Sequence, residues 1–338
     1  MTDIPKMSKN DARDTGIGAI ILTLIVLGVL LGGLVLFSAF WTELKWFEQL
    51  SAARVFWTQY GAWIIFSAIG AVIAAIVMMI SIRIALGADT KRGEKGKKNK
   101  ANTQPTIKLD RDGKPVSESS DAVLTTLRKQ RWIALWVFPI ITGVLFGGQL
   151  GNSWQTFLVW LNSTPFNQTD PEFGHDVSFY IFTLPAIHRL MSFLLMLVFL
   201  AVAATAVGYW INGKLEFKKG VGFSFKSRLH LGILAALFAL LVAGNFWLAR
   251  YDLLLNNGTG STNRFSGASF TDINASLPGM TILAVSVAAI AVLILISAIR
   301  NSFKPALVGV AATLVAGIVL TSVYPMLVQN FKVNPNAA

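Results

Sequence analysis

The chain has 338 residues, 54% of them hydrophobic and only 14% charged, with 29 lysines and arginines, 17 aspartates and glutamates, and no cysteine. Soluble domains carry about a quarter charged residues, so most of this sequence is not built to face water, and the missing cysteines exclude disulfides, thiolate metal sites, cysteine nucleophiles and cysteine lipidation. The formal charge of +12 would point to nucleic acid only on a folded polar surface, and its distribution along the chain excludes that.

Seven apolar runs follow one another at about 16–41, 60–86, 131–151, 186–211, 229–250, 278–299 and 303–325. Each is long enough to cross a bilayer as a helix, which takes about 20 residues. The expectation is an all-α polytopic membrane protein with about seven transmembrane helices in a domain covering 16–325, after a tail of 1–15. The first run has no small-residue cleavage site and a second span follows, so it is read as a retained helix and not a signal peptide. Between the first two runs, Trp46, Leu50, Ala53 and Trp57 recur at helical spacing, which predicts an interfacial helix lying on the membrane surface.

After the second run comes a basic, low-hydrophobicity loop at 87–121, expected to be disordered. Its centre is KRGEKGKKNK, with Lys91, Arg92, Lys95, Lys97, Lys98 and Lys100 as candidate contacts to anionic lipid head groups. Each lysine near such a surface is worth about 1 kcal/mol. No aromatic interleaving accompanies the lysines, so nucleic acid is excluded as a partner.

The third connection, 152–185, is long and aromatic. It reads as a short helix WQTFLVWL, a Pro-bounded turn STPFNQTDP and an extended segment HDVSFYIF before Pro185. Asp170, Glu172, His175 and Asp176 form a polar cluster that could offer oxygen and imidazole ligands to a cation. Their spacing matches no metal signature, and turn chemistry explains Asp before Pro and Gly before His equally well. No metal and no cofactor is expected. The sequons at Asn162 and Asn167 would be glycosylation sites only in a eukaryotic secretory pathway. The fifth connection is rich in Gly, Ser, Thr and Asn and reads first as a flexible loop; Gly258 and Gly260 could alternatively form an anion nest, and Thr271 or Asp272 could cap a short helix before Pro278. The last two runs are joined only by 300–304, which makes a helical hairpin.

Lysines and arginines set the orientation. With the N-terminus in the cytoplasm, only Lys45, Arg54, Arg189, Arg250, Arg264 and Lys332 of the 29 fall outside. This predicts a cytoplasmic N-terminus and an extracytoplasmic C-terminus, with 326–338 as an outer tail. Inside the spans there is almost no ionisable residue, although such residues mark pathways in pumps and transporters. Arg83, Arg189 and Arg250 stand at ends, where they can snorkel. Asn245 is the deepest strong polar group, and an interhelical hydrogen bond is expected of it. Gly28 with Gly32, and Gly143 with Gly147, have the spacing at which helices approach closely; Gly70 with Ala74, and Gly309 with Thr313 and Gly317, extend the pattern. Trp41, Trp46, Trp57, Trp63, Trp154, Trp160 and Trp247 form an aromatic belt.

The stretches FWTELKWFEQL with ARVFWTQ at 40–59, WLNSTPFNQTDPEFGHDVSFYIFTLP at 160–185, ARYDLLL with GASFTDINASLP at 249–278, and VYPMLVQNFKVNPN at 323–336 together resemble one bacterial family. It is the uncharacterised multi-pass membrane protein family 0182 of actinobacteria and cyanobacteria. The resemblance implies a bacterial inner-membrane location and a seven-helix membrane domain leading into a large extracytoplasmic region. The end at NPNAA is accordingly expected to be the start of such a region. The family supplies no biochemical role to carry over to any residue. The functional expectation is an integral plasma-membrane protein that anchors or scaffolds extracytoplasmic structure, with lipid and membrane or envelope proteins as partners. The alternative is an outer-leaflet enzyme or a transporter of lipids or small molecules, using 170–176 and 256–272.

Overall fold

A computed structural model describes residues 9–87, 131–211, 224–255 and 267–336. The basic loop with Lys91, Arg92, Lys95, Lys97, Lys98 and Lys100, and the Gly258–Gly260 segment, lie outside the described residues. Among those described, the protein is an all-α polytopic membrane protein: six helices are long and apolar enough to cross a membrane, or seven if one bent pair is counted as a span. The chain divides into two units, Met1–Gly61 and Ala62–Ala338.

The first unit holds α1 (Lys9–Gln49) and the beginning of α2 (Ala53–Gly87). No separate interfacial helix forms between them. The helices meet instead at a tight turn, because Ser51 takes a left-handed conformation (φ 56°), and the amides of Ser51 and Ala52 close back on the carbonyls of Glu48 and Phe47. Trp46, Leu50 and Trp57 stay exposed as expected, while Phe56 is fully buried among Phe40, Phe47 and Tyr60. Tyr60 donates its hydroxyl to Glu43 Oε2 at 2.9 Å. Around Gly28 and Gly32, by contrast, nothing lies within 4 Å of where a Cβ would stand.

In the second unit, α2 packs on α3 (Arg131–Gly151) through small residues. A Cβ on Gly147 would stand 2.6 Å from the Ser67 carbonyl oxygen, and one on Gly143 would stand 3.0 Å from that of Ala71. Without a hydrophobic drive between helices in lipid, such backbone proximity is what dispersion has to work with. The pair α3 and α4 (Trp154–Leu161) is bent by 53°, and Trp63 Nε1 donates to Asn152 Oδ1 at 3.1 Å beside that bend. α4 then buries Phe157 against Phe66. A core of Met78, Phe146, Leu150, Phe157, Phe193 and Leu197 joins these helices to α5 (Leu184–Ile211).

α6 (Phe225–Asp252) and α7 (Leu277–Arg300) pack through Ala236, Ala239 and Ala243 against Val287 and Ala291. The last span starts as α8 (Lys304–Ile318), resumes as α9 (Tyr324–Val328) and runs in all from Lys304 to Val333. Residues 326–333, expected as part of a tail, are thus helical. Large apolar side chains such as Leu34, Val144, Leu237, Val285 and Leu314 lie on the outside of these helices, the arrangement lipid demands and water penalises.

Among the described residues, four π turns interrupt the long helices, at Phe179–Thr183, Asp272–Ser276, Val319–Val323 and Gln329–Val333. Each ends two residues before a proline: Pro185, Pro278, Pro325 and Pro335. The residue immediately before the proline bonds five residues back, as Leu184 does to Phe179 and Leu277 to Asp272. A proline in a regular helix clashes with the carbonyl four residues earlier, and the widened turn moves that carbonyl aside. This is why HDVSFYIF, expected to be extended before Pro185, is helical from Val177 on.

Replacing Gly147 by Ala should lower thermal stability in detergent by about 1–3 kcal/mol, the usual cost of overpacking. Gly148→Ala, where nothing lies within 4 Å, should be neutral or slightly stabilising, since Ala is the better helix former.

Candidate functional site: the loop-bearing end of the bundle

Residues 162–178, the end of α6 and the start of α7 meet at one end of the second unit. The loop is a small hairpin. Asp170 N donates to the His175 carbonyl at 2.9 Å, Val177 N donates to that of Gln168 at 2.8 Å, and Thr169 bridges Asp176. Gly174 (φ +70°) supplies the left-handed turn that closes it.

The four residues singled out in the sequence take different parts here. Asp170 Oδ1 accepts from the amides of Glu172 (2.9 Å) and Phe173 (2.6 Å), while Oδ2 accepts from the His175 amide (2.8 Å) and the Tyr180 hydroxyl (2.7 Å). Asp176 caps the following helix: its Oδ1 accepts from the Ser178 amide at 2.8 Å and also from the Phe166 amide at 3.0 Å. His175 stacks on Phe179 with ring centroids 4.6 Å apart, and Glu172 is exposed. Both aspartates are therefore engaged with the loop's own donors, and no group of three or more His, Cys, Asp or Glu among the described residues is placed to hold a metal.

Desolvation is the largest single influence on the Asp170 carboxyl and pushes it up. The bonds from Phe173, Tyr180, His175 and Glu172 together outweigh that and hold it below the usual carboxylate range. Asp176 is held lower still, at about 2, by the Ser178 side chain first and then by the amides of Phe166 and Ser178.

Aromatic rings cover this end. Phe173, His175 and Phe179 all pack against Tyr251 at the end of α6, with centroids 4.7, 5.5 and 5.3 Å away. His188 Nε2 meets Asp252 Oδ1 at 3.0 Å and ties α5 to α6. The stretch before α7 is closed by a reciprocal cap between Ser269 and Asp272: each side chain accepts the other's amide, at 2.9 and 3.1 Å. Ser269, which the sequence reading passed over, is thus the cap, and Asp272 is its partner three residues on. Thr271 instead donates to Gln329 Oε1 of the last span at 2.6 Å.

Two expectations are corrected. Asn245 faces outward and has no interhelical hydrogen bond among the described residues, because α6 turns Ala243 and Leu248 inward in its place. Arg250, expected to snorkel, is only 9% exposed and lies with its guanidinium carbon 3.5 Å from the Trp247 ring centroid. The sequence carried a signal for the second, since the run WLARY sets a cation between two aromatic rings near a helix end.

Asp170→Ala strips four donors of their acceptor and should cost the loop about 2 kcal/mol of local stability, read as faster amide exchange across 166–178, whereas Glu172→Ala should leave exchange unchanged. Both carboxyls titrate below the ordinary value of 3.8. Their contribution should accordingly be complete above that pH and fade as pH falls toward about 2, where Asp176 protonates. Exchange protection corrected for its intrinsic pH dependence should stay flat from neutral pH to about 4 and drop below that. A loss centred near neutral pH would contradict this assignment.

The sequence profile of the uncharacterised protein family UPF0182 matches residues 20–338. A UPF0182 protein of Arthrobacter sp. strain FB24 is 32% identical over 320 residues, which cover 94% of this chain and 30% of that protein. One from Clavibacter sepedonicus is 32% identical over 93% of this chain and 30% of its own length. One from Streptomyces coelicolor is 28% identical over 94% and 30%. No solved structure matches. The chain spans about 30% of the length of these curated relatives, and over that span it belongs to the uncharacterised protein family UPF0182.

Proposed function

We propose that this segment is the plasma-membrane anchor of its protein, with the N-terminus in the cytoplasm, and that the loop-bearing end is a rigid extracytoplasmic platform on which further structure is assembled. The observation that carries the reading is how the loop spends its carboxylates. Asp170 and Asp176 are engaged by five amides and the Tyr180 hydroxyl, with the Ser178 side chain also holding Asp176, all from the loop and the helix it leads into. A carboxylate committed to several hydrogen bonds and held below its ordinary range is poorly suited to general acid–base work, which needs a pKa near the working pH. It is well suited to keeping a loop in one shape, and a pre-organised surface loses little entropy when something docks on it. The orientation rests on the distribution of lysine and arginine.

The absence of cysteine makes the test clean. In cells, a single cysteine at Ser163 should react with a membrane-impermeant maleimide without permeabilisation. A photo-crosslinking residue at the position of the exposed Glu172, in a relative of full length such as that of Arthrobacter, should join the loop to the remainder of the same chain or to an envelope protein of defined mass. Labelling that appears only after the membrane is opened would overturn the orientation. A folded protein that gives no crosslink would overturn the platform.

A further inference from the structure

Arg250 stands in the last turn of α6, in the seam with α7, and it is the one charged residue among the buried side chains described. Its Nε donates to the Trp247 carbonyl and its Nη1 to Thr281 Oγ1, both at 3.2 Å. These are long bonds to neutral acceptors. Of the five guanidinium N–H groups, three have no acceptor among the described residues. No carboxylate there comes within ion-pair distance: the two ion pairs described are Lys45–Glu48 and His188–Asp252. Asp170 is engaged by its loop, Asp272 by Ser269, and Glu172 is exposed.

A buried cation without a counter-charge is costly, by several kcal/mol even after relaxation. The three rings around Arg250 offset part of this. Its guanidinium carbon lies 3.5, 5.7 and 5.8 Å from the centroids of Trp247, Tyr251 and Phe173, and the carbonyl end of the α6 dipole is favourable to a cation. Neither contributes a formal negative charge. Arginine matches the paired oxygens of a phosphate through parallel N–H bonds, and is chosen over lysine where that fork is used.

The surface next to Arg250 indicates where the phosphate comes from. Ile233, Leu237, Leu240 and Trp247 are exposed along one stripe of α6, about 20 Å long at 1.5 Å per residue. The stripe ends at the Trp247 ring on which the guanidinium lies, and tryptophan belongs at the level of the head groups. Acyl chains along the stripe would bring their own phosphate to the end of α6.

We propose that Arg250 is the anchor of a phospholipid site, holding the head-group phosphate through its free N–H groups while the acyl chains lie along Ile233, Leu237 and Leu240. The inference rests on the membrane-spanning fold and is independent of the platform proposed above.

The test is thermal unfolding of the purified protein in a neutral, phosphate-free detergent. It is run with added phosphatidylglycerol, with an uncharged glycolipid of the same acyl chains, and with inorganic phosphate. Phosphatidylglycerol should stabilise the unaltered protein more than the glycolipid does. Arg250→Gln should weaken phosphatidylglycerol at least about tenfold and leave the glycolipid response unchanged. Arg250→Lys, which keeps the charge but not the fork, should retain part of the preference and serves if the glutamine variant does not fold. An equal shift with inorganic phosphate would support an oxyanion site filled from solution and overturn the lipid as its source. Equal responses to both lipids in the unaltered protein, or full lipid preference in either variant, would overturn the proposal.

Discussion

A bilayer core offers no solvent to a backbone N–H or C=O, so any break in a spanning helix has to be absorbed within the helix itself. That constraint organises this protein. In or adjoining three of its spans, four prolines are each preceded by a π turn that lets the chain accommodate the ring without losing direction, whereas α1, α2 and α6 contain none. Helix packing obeys the same economy. Where α2 and α3 touch, the backbone of Gly143 and Gly147 approaches the carbonyls of Ala71 and Ser67 directly, and larger side chains are turned out to lipid.

At the loop-bearing end the constraint changes, because the chain leaves the apolar phase and its backbone amides need acceptors. Asp170 and Asp176 supply them, the first by gathering a tight hairpin around one carboxylate and the second by capping the helix that re-enters. Tyr180 links the two regions, since its ring is buried in the bundle and its hydroxyl reaches Asp170. The loop is therefore continuous with the span below it, and its aromatics are packed against Tyr251.

Much of this was legible in the sequence, and the exceptions have physical causes. Hydropathy located the spans because burial in lipid depends on composition more than on partners. It misplaced their ends at 42–59 and 177–185, where aromatic residues serve equally at an interface and in a packed knot. The segment before Pro185 was expected to be extended, and the π turn at Phe179–Thr183 instead lets it run on as helix. Asn245 and Arg250 were exchanged in effect: the neutral amide faces out and the cation faces in. Sequence position alone does not give the rotation of a helix about its axis, so the outward turn of Asn245 could not be read in advance, whereas the flanking Trp247 and Tyr251 were a signal for Arg250. The acidic cluster was visible, but which donors it would satisfy depended on a hairpin that only the folded chain forms.

Each π turn also resets the phase of its helix. One additional residue per turn offsets everything beyond it by about 100°, so residues on the two sides of Thr183 or Val323 belong to different registers of the same rod. A face drawn straight along Lys304–Val333 is in truth two or three short faces joined by rotations. Substitutions that look equivalent on a single helical projection will fall on lipid in one segment and on protein in the next. For a last span with little of its surface covered, such a rotation gives one rod several distinct sides, each able to meet a different neighbour.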